Sequence, residues 1–162
     1  MLPSGEKAGR AAQALALGVP MALLVAVYVG QYGFDLYPCE MCWWQRYPHF
    51  AAVALGLLAL AIKGQARLLT GLGALAILVS GLIGAYHAGV EYTWWPGLTD
   101  CTANAVAGAA DPLEAILKAP IVRCDQVQWE LFGISLAGYN FLVSTGTALL
   151  IGVLLLRGGK RG

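Results

Sequence analysis

The sequence predicts an all-α integral membrane protein, a four-helix bundle with two loops on one face of the membrane. Of the 162 residues, 59% are hydrophobic and 12% are charged, which is roughly half the charged fraction of a typical soluble domain. The apolar residues form four runs that are nearly free of charge, and most basic residues flank one end of those runs. Runs of this length disfavour a small soluble helical domain. The net charge of +1 gives no indication of nucleic-acid binding.

The four apolar runs place the whole chain, residues 1–162, in one membrane domain. We expect spans at about residues 13–30, 44–62, 68–88 and 134–156, with loops at about 31–43 and 89–133. The first run resembles a secretory signal, but it ends near Gly30 without a small-x-small cleavage site. A retained first helix is therefore favoured over a cleaved signal, and cleavage would leave the orientation of the rest unchanged.

The second apolar run is short when it is counted from Pro48 to Ile62. About 15 residues at 1.5 Å each cover roughly 22 Å, which is less than the ~30 Å hydrocarbon core of a bilayer. The helix is therefore expected to begin earlier, near Trp43 or Trp44. This start places Cys42 at the helix N-terminus and Pro48 in the first turn or two, where a missing N–H costs least.

The third and fourth runs carry residues that favour helix packing in lipid. Ser80, Gly84 and Ala88 recur at every fourth position of the third run, and such rows of small residues let helix backbones approach closely. Asn140 and several serines and threonines interrupt the fourth run. We interpret these polar side chains as hydrogen-bonded either to the backbone of their own helix or to neighbouring helices.

The second loop contains a short segment with the features of an interfacial helix. Asp111 is followed by Pro112, and Glu114 stands three residues after the cap position, as at a helix N-terminus. Glu114 also precedes Lys118 by four residues, and Pro120 ends the segment. Two turns are too few for a stable helix in water, so we expect this amphipathic helix to lie on the membrane surface.

The distribution of basic residues predicts the orientation. Four spans place both termini and the turn at 63–67 on one side, with seven of the ten lysines and arginines: Lys7, Arg10, Lys63, Arg67, Arg157, Lys160 and Arg161. The positive-inside rule makes that side cytoplasmic. All four cysteines then lie on the opposite side, where disulfides persist.

Cys39 and Cys42 have the Cys-x-x-Cys spacing of dithiol oxidoreductases, and Arg46 follows Cys42 by one helical turn. The helix N-terminus and the arginine both favour the thiolate form of Cys42. A thiolate and a fixed cation at the lipid boundary are suited to a lipid-soluble electron acceptor. Arg46 is placed to hold a quinone carbonyl and to stabilise the anion that forms there.

Other interpretations of the same residues remain open. The count of four cysteines also allows one zinc site, although no second Cys-x-x-Cys exists and Cys101 and Cys124 are far apart in sequence. Both pairs would also serve as inert structural disulfides. Arg46 alone is equally consistent with an interfacial residue, and the neighbouring tryptophans with membrane anchors.

Two histidines lie in the predicted spans. His87 closes the third span near the expected depth of Cys42, which makes it a candidate proton donor to a reduced quinone as well as an ordinary interface residue. His49 lies one turn inside the second span, and we interpret it as structural.

Taken together, these motifs resemble the bacterial disulfide bond formation protein B (DsbB) family. The resemblance rests on four spans, Cys-x-x-Cys-x-x-x-Arg before the second span, His87 at the end of the third, a separated cysteine pair in the second loop, and Trp129 five residues after Cys124. Gln45 departs from the glutamate that often precedes the arginine in this family. The resemblance implies a quinone-dependent protein-disulfide oxidoreductase in the bacterial inner membrane, with periplasmic cysteine loops.

The resemblance also implies roles for individual residues. Cys39 and Cys42 would be the quinone-coupled pair, Arg46 would belong to the quinone site, Cys101 would form the mixed disulfide with a thioredoxin-like DsbA-type partner, and Cys124 would be its mate. The electrons would pass from that partner to ubiquinone or menaquinone. No metal ligand set and no nucleic-acid partner are implied.

Rivals from other classes are a non-enzymatic membrane protein braced by two disulfides and a metal carrier. A paralogue dedicated to one client shares the chemistry and differs only in partner. A vitamin-K-epoxide-reductase-like enzyme is a closer chemical rival, but its Cys-x-x-Cys is expected on a late helix, whereas Cys39 and Cys42 precede the second.

Overall fold

The computed structural model describes residues 5–97 and 122–158, and this part of the chain is almost entirely helical. Its long helices are α1 (Gly5–Gly33), α2 (Glu40–Ala61), α3 (Ala66–Glu91) and α4 (Leu136–Gly158), with a 3-10 turn at Lys63–Gln65. The stretches Gly5–Gly33, Lys63–Glu91 and Leu136–Gly158 are long and apolar enough to cross a membrane. The predicted all-helical membrane architecture is therefore confirmed, while the membrane crossing of α2 stays a prediction. The expected amphipathic helix at 111–118 lies outside the described residues.

Helix α2 begins one turn earlier than the apolar run predicts. Its first residue is Glu40, and the Cys39 sulfur caps it by accepting a hydrogen bond from the Cys42 N–H at 3.2 Å. The predicted start near Trp43 or Trp44 is wrong. That prediction was based on the length of the hydrophobic run, whereas the helix begins directly after its cap, Cys39. Cys42 is still in the first turn, as expected. Pro48, however, falls in the third turn, inside the helix.

The outer surface of the bundle is apolar. Large hydrophobic side chains are exposed along every long helix, among them Val25, Leu57, Leu68, Leu82 and Leu149. The buried core is made largely of small residues, such as Ala8, Ala12 and Ala16 of α1, which pack with Ile77, Ile151 and Leu154. Because water would not solvate so much exposed apolar surface, this arrangement requires lipid around the helices.

Helices α3 and α4 approach each other closely at glycines. A Cβ atom placed on Gly81 would lie 2.7 Å from the Thr145 Oγ1, and one placed on Gly84 would lie 2.9 Å from the Ala137 carbonyl oxygen. The row of small residues on the third run therefore has the packing function that the sequence predicts. The close contact brings Asn140 of α4 against α3.

A small antiparallel hairpin precedes α4 and was not predicted. Glu130–Leu131 pairs with Ile134–Ser135, so α4 begins at Leu136 and the expected span start at residue 134 lies in a strand. The Tyr92 hydroxyl accepts a hydrogen bond from the Ser135 N–H at 2.8 Å and donates one to the Gly133 carbonyl at 3.0 Å. These bonds fix the second loop to the end of α3, beside the start of α2.

Gly84→Ala is expected to destabilise the bundle by about 1–3 kcal/mol, because the added methyl meets rigid backbone of α4. Gly146→Ala in α4 is the matched control, since a Cβ there has no atom within 4 Å. The measurement is the free energy of unfolding in mixed micelles titrated with a denaturing detergent. Equal stability of the two variants would contradict the proposed close contact between α3 and α4.

Candidate functional site

The start of α2 places the two sulfurs of the Cys-x-x-Cys side by side. The Cys39 and Cys42 Sγ atoms are 2.9 Å apart, and a disulfide bond is about 2.05 Å long. Cys39 is buried, with 3% of its surface exposed, whereas Cys42 is half-buried. The pair can therefore be oxidised with little movement, and Cys42 is the more accessible of the two sulfurs.

Cys124 of the second loop packs directly on this pair. It shares a buried cluster with Cys39, Met41 and Val90. Hydrogen bonds with the Cys124 and Cys42 side chains, together with burial, raise the pKa of the Cys39 thiol above its ordinary value. The fold thus brings one cysteine of the second predicted pair into contact with the first pair. Cys101 lies outside the described residues.

His87 joins the same cluster from the end of α3. Its Nε2 atom lies 3.6 Å from the Cys39 Sγ, and its ring is hydrogen-bonded to the backbone of Cys124. Its Nδ1 atom lies 2.8 Å from the Gln45 Nε2. The sequence predicted His87 at the depth of Cys42, and the structure places it beside Cys39 and Cys124, the two cysteines from different loops.

Glu91, one turn after His87, is a member of the site that sequence reasoning missed. Its carboxylate accepts a short hydrogen bond from the Ser135 hydroxyl, and its Oε1 lies 3.9 Å from the His87 Nε2. An acidic residue at the end of an apolar run was the available signal. Glu91 ties the hairpin to α3, so it helps to hold the second loop over the dithiol.

Arg46 is buried, with 6% of its surface exposed, and is fixed on several sides. Its guanidinium carbon lies 5.0 Å from the Tyr28 ring centre and 4.9 Å from that of Trp43, and its Nη1 donates to the Gln31 Oε1 at 2.7 Å. Its Nε–H has no partner among the described residues. An arginine that only extends to the interface would not be enclosed in this way, and Trp43 contacts the guanidinium in addition to any anchoring role.

A cavity of about 780 Å³ opens beside these groups. Apolar side chains of α1 and the following loop form much of its wall, and polar groups line it in a small number of places: Cys39, Cys42, Gln45, Arg46, His49, His87, Glu91 and Asn140 among them. A flat apolar ring with two carbonyl oxygens matches such a site, since apolar walls with a few fixed donors are typical of small-molecule pockets. The guanidinium group of Arg46 contributes a positive charge to this lining. The residues therefore fit a quinone.

A buried polar network extends from the cavity into the bundle. The Asn140 Nδ2 donates to the Gln45 Oε1 at 2.8 Å and to the Ser80 carbonyl at 3.1 Å, and its Oδ1 lies 3.0 Å from the His49 Nε2. The Ser80 hydroxyl donates to the Gln45 carbonyl at 2.7 Å and lies 2.9 Å from the same His49 nitrogen. Asn140 therefore bonds helices together as predicted. His49 belongs to the same network, and its purely structural role stays a prediction.

Comparison with known proteins gives one consistent family. The family model for disulfide bond formation protein DsbB matches residues 9–154. A disulfide bond formation protein B from Aromatoleum aromaticum is 32% identical over 156 residues, covering 86% of this chain and 91% of the relative. A disulfide bond formation protein B 2 from Pseudomonas syringae pv. syringae is 34% identical over 143 residues, covering 78% of this chain and 75% of the relative.

A third relative, a disulfide bond formation protein B from a Polaromonas species, is 31% identical over 145 residues and covers 85% of this chain and 84% of its own length. No solved structure matches significantly. The match of the family model extends from α1 to the last turns of α4 and includes every described residue of the cysteine cluster. The chain therefore belongs to the DsbB family of membrane disulfide bond formation proteins.

Proposed function

We propose that this protein reoxidises a periplasmic thioredoxin-like protein of the DsbA type and passes the electrons to a membrane quinone. The observation that carries the proposal is the buried contact of Cys124 with Cys39, beside an apolar cavity that contains Cys42 and Arg46. A structural brace requires no contact between the two cysteine pairs. A relay requires it, because thiol–disulfide exchange proceeds only between sulfurs that can meet.

The exchange begins with Cys101 and Cys124 joined as one disulfide and Cys39 and Cys42 as the other. A thiolate of the reduced partner attacks Cys101, and the electron pair of the broken bond passes to Cys124. Cys124 then attacks Cys39, with which it is in contact, and Cys42 leaves as a thiolate. The second partner thiol attacks the disulfide between the partner and Cys101, so the partner leaves oxidised. The freed Cys101 thiolate then attacks Cys124, which re-forms the Cys101–Cys124 disulfide and releases Cys39 as a thiolate.

The net change at this protein is two thiols, Cys39 and Cys42, in place of one disulfide. A bound quinone would supply the oxidising power, taking up two electrons and two protons as the disulfide re-forms. The protein contributes position and charge. Arg46 is held between Tyr28 and Trp43 and lines the cavity, so its positive charge would stabilise negative charge that develops on a bound quinone in this apolar site.

The orientation follows the same proposal. The partner is periplasmic, so the cysteine cluster at the ends of α2 and α3 lies on the periplasmic side of the inner membrane and both termini lie in the cytoplasm. The excess of basic residues at the termini and at the 63–67 turn supports this orientation.

Cys42→Ser and Cys101→Ser are each expected to abolish quinone reduction by a reduced DsbA-type protein, because each removes a sulfur that the relay must pass through. The measurement is the absorbance of a soluble quinone analogue in the presence of purified protein and reduced partner. Ala54→Ser, at an exposed position of the same helix, is the control and should keep wild-type turnover. Wild-type turnover in either cysteine variant would disprove the relay.

Arg46→Met is expected to raise the KM for quinone at least tenfold, since a buried hydrogen bond to a charged group contributes about 1.5–3 kcal/mol. Exchange between the partner and the cysteine pairs, measured without quinone as partner oxidised in a single turnover, should be unchanged. Arg10→Met, at an exposed position of α1, is the matched control. If Arg46→Met slows the thiol step and leaves the KM for quinone unaltered, Arg46 does not belong to the quinone site.

A further inference from the structure

Gln45 joins the cysteine cluster to the polar interior of the bundle, and its amide has three partners. Its Nε2 donates to the Met41 carbonyl at 3.2 Å and lies 2.8 Å from the His87 Nδ1. Its Oε1 accepts from the Asn140 Nδ2 at 2.8 Å. The side chain is buried, with 7% of its surface exposed, so water does not compete for these bonds.

The backbone fixes which way both amides point. The Met41 and Ser80 carbonyl oxygens can only accept, so each must face an amide NH₂ group. The NH₂ of Asn140 therefore faces Ser80 and its second hydrogen reaches the Gln45 Oε1. The NH₂ of Gln45 faces Met41, and the His87 Nδ1 meets a donor. Reversing either amide would place two acceptors or two donors against each other.

A ring nitrogen that meets a donor must be the unprotonated one. In the neutral imidazole of His87 the proton then resides on Nε2. The Nε2 atom has two acceptors nearby, the Cys39 sulfur at 3.6 Å and the Glu91 carboxylate at 3.9 Å. We propose that Gln45 is a positioning residue that fixes His87 as the Nε2–H tautomer, with its N–H directed at the junction of Cys39 and Cys124.

The consequence for exchange rests on the proposed function. When Cys101 attacks Cys124 of a Cys39–Cys124 disulfide, that bond breaks and its electron pair passes to the Cys39 sulfur. An N–H donor at 3.6 Å stabilises the thiolate that forms there. Without Gln45 the proton is free to move to Nδ1, and the Nε2 lone pair would then oppose the same charge.

The tautomer also bears on metal binding. The ligand atoms of Cys39, Cys42 and His87 all lie within 4.8 Å of one another, which is the arrangement of a partial zinc site. A histidine can bind a metal only through an unprotonated nitrogen. With the proton held on Nε2, His87 serves as a donor to sulfur and not as a metal ligand.

The direct test is nitrogen NMR of the purified protein in lipid nanodiscs with ¹⁵N-labelled histidine. The chain has only two histidines, so a His49→Gln sample assigns the spectrum. We expect an unprotonated Nδ1 and a protonated Nε2 for His87 in the wild type. In Gln45→Glu the carboxylate accepts from the ring, so the proton should move from Nε2 to Nδ1. Gln65→Glu, the same change at an exposed site beyond the end of α2, should leave the ring unchanged.

The rate of disulfide exchange provides a second test. Release of Cys39 from the Cys39–Cys124 disulfide should slow about tenfold in Gln45→Glu, the expected cost of one hydrogen bond to a thiolate, and remain at the wild-type rate in Gln65→Glu. A protonated Nδ1 in the wild type would overturn the inference that Gln45 fixes the His87 tautomer, and it would leave the proposed function unaffected. Conversely, the expected tautomer in a protein without oxidase activity supports the positioning by Gln45 and refutes the proposed reaction.

Discussion

The contact between Cys39 and Cys124 is the interaction on which the rest of the site depends. The two residues are 85 positions apart in sequence and belong to different loops, and the fold buries them together against Met41 and Val90. The start of α2 supplies Cys39 as its cap, and the hairpin before α4 is fixed to α3 by Tyr92 and Glu91. If either attachment were lost, the second loop would no longer bring its cysteine to the first pair.

The bundle tolerates polar groups in an apolar environment because nearly every one has a partner. Gln45, Asn140 and Ser80 satisfy one another and the backbone carbonyls of Met41 and Ser80. In hydrocarbon an unpaired polar group costs several kcal/mol, so such a network restricts the helices to one arrangement. Among the described residues, the exceptions are the Arg46 Nε, the His49 Nδ1 and the Thr145 Oγ1. Arg46 is also the one of these three residues that carries a fixed positive charge, and it lines the cavity.

The sequence was sufficient for the features that follow from composition and spacing. Long apolar runs predicted the helices, the motif of Cys39, Cys42 and Arg46 predicted which side chains of α2 meet beside the cavity, and the row at Ser80 and Gly84 predicted close packing. Sequence could not reveal contacts between distant segments. The capping of α2 by Cys39 depends on a sulfur that no propensity scale treats as a cap, and the roles of Gln45 and Glu91 depend on His87 and Ser135 being brought beside them.

The contact between the two cysteine pairs is tested most directly by trapping the exchange. Oxidised protein without quinone is mixed with reduced DsbA-type partner, quenched in acid, alkylated and digested without reduction, and its disulfide-linked peptides are identified by mass spectrometry. We expect a transient peptide pair joined through Cys39 and Cys124, formed as Cys42 becomes alkylatable. A pair joined through Cys42 and Cys124, or partner oxidation with no link between the two loops, would contradict the relay.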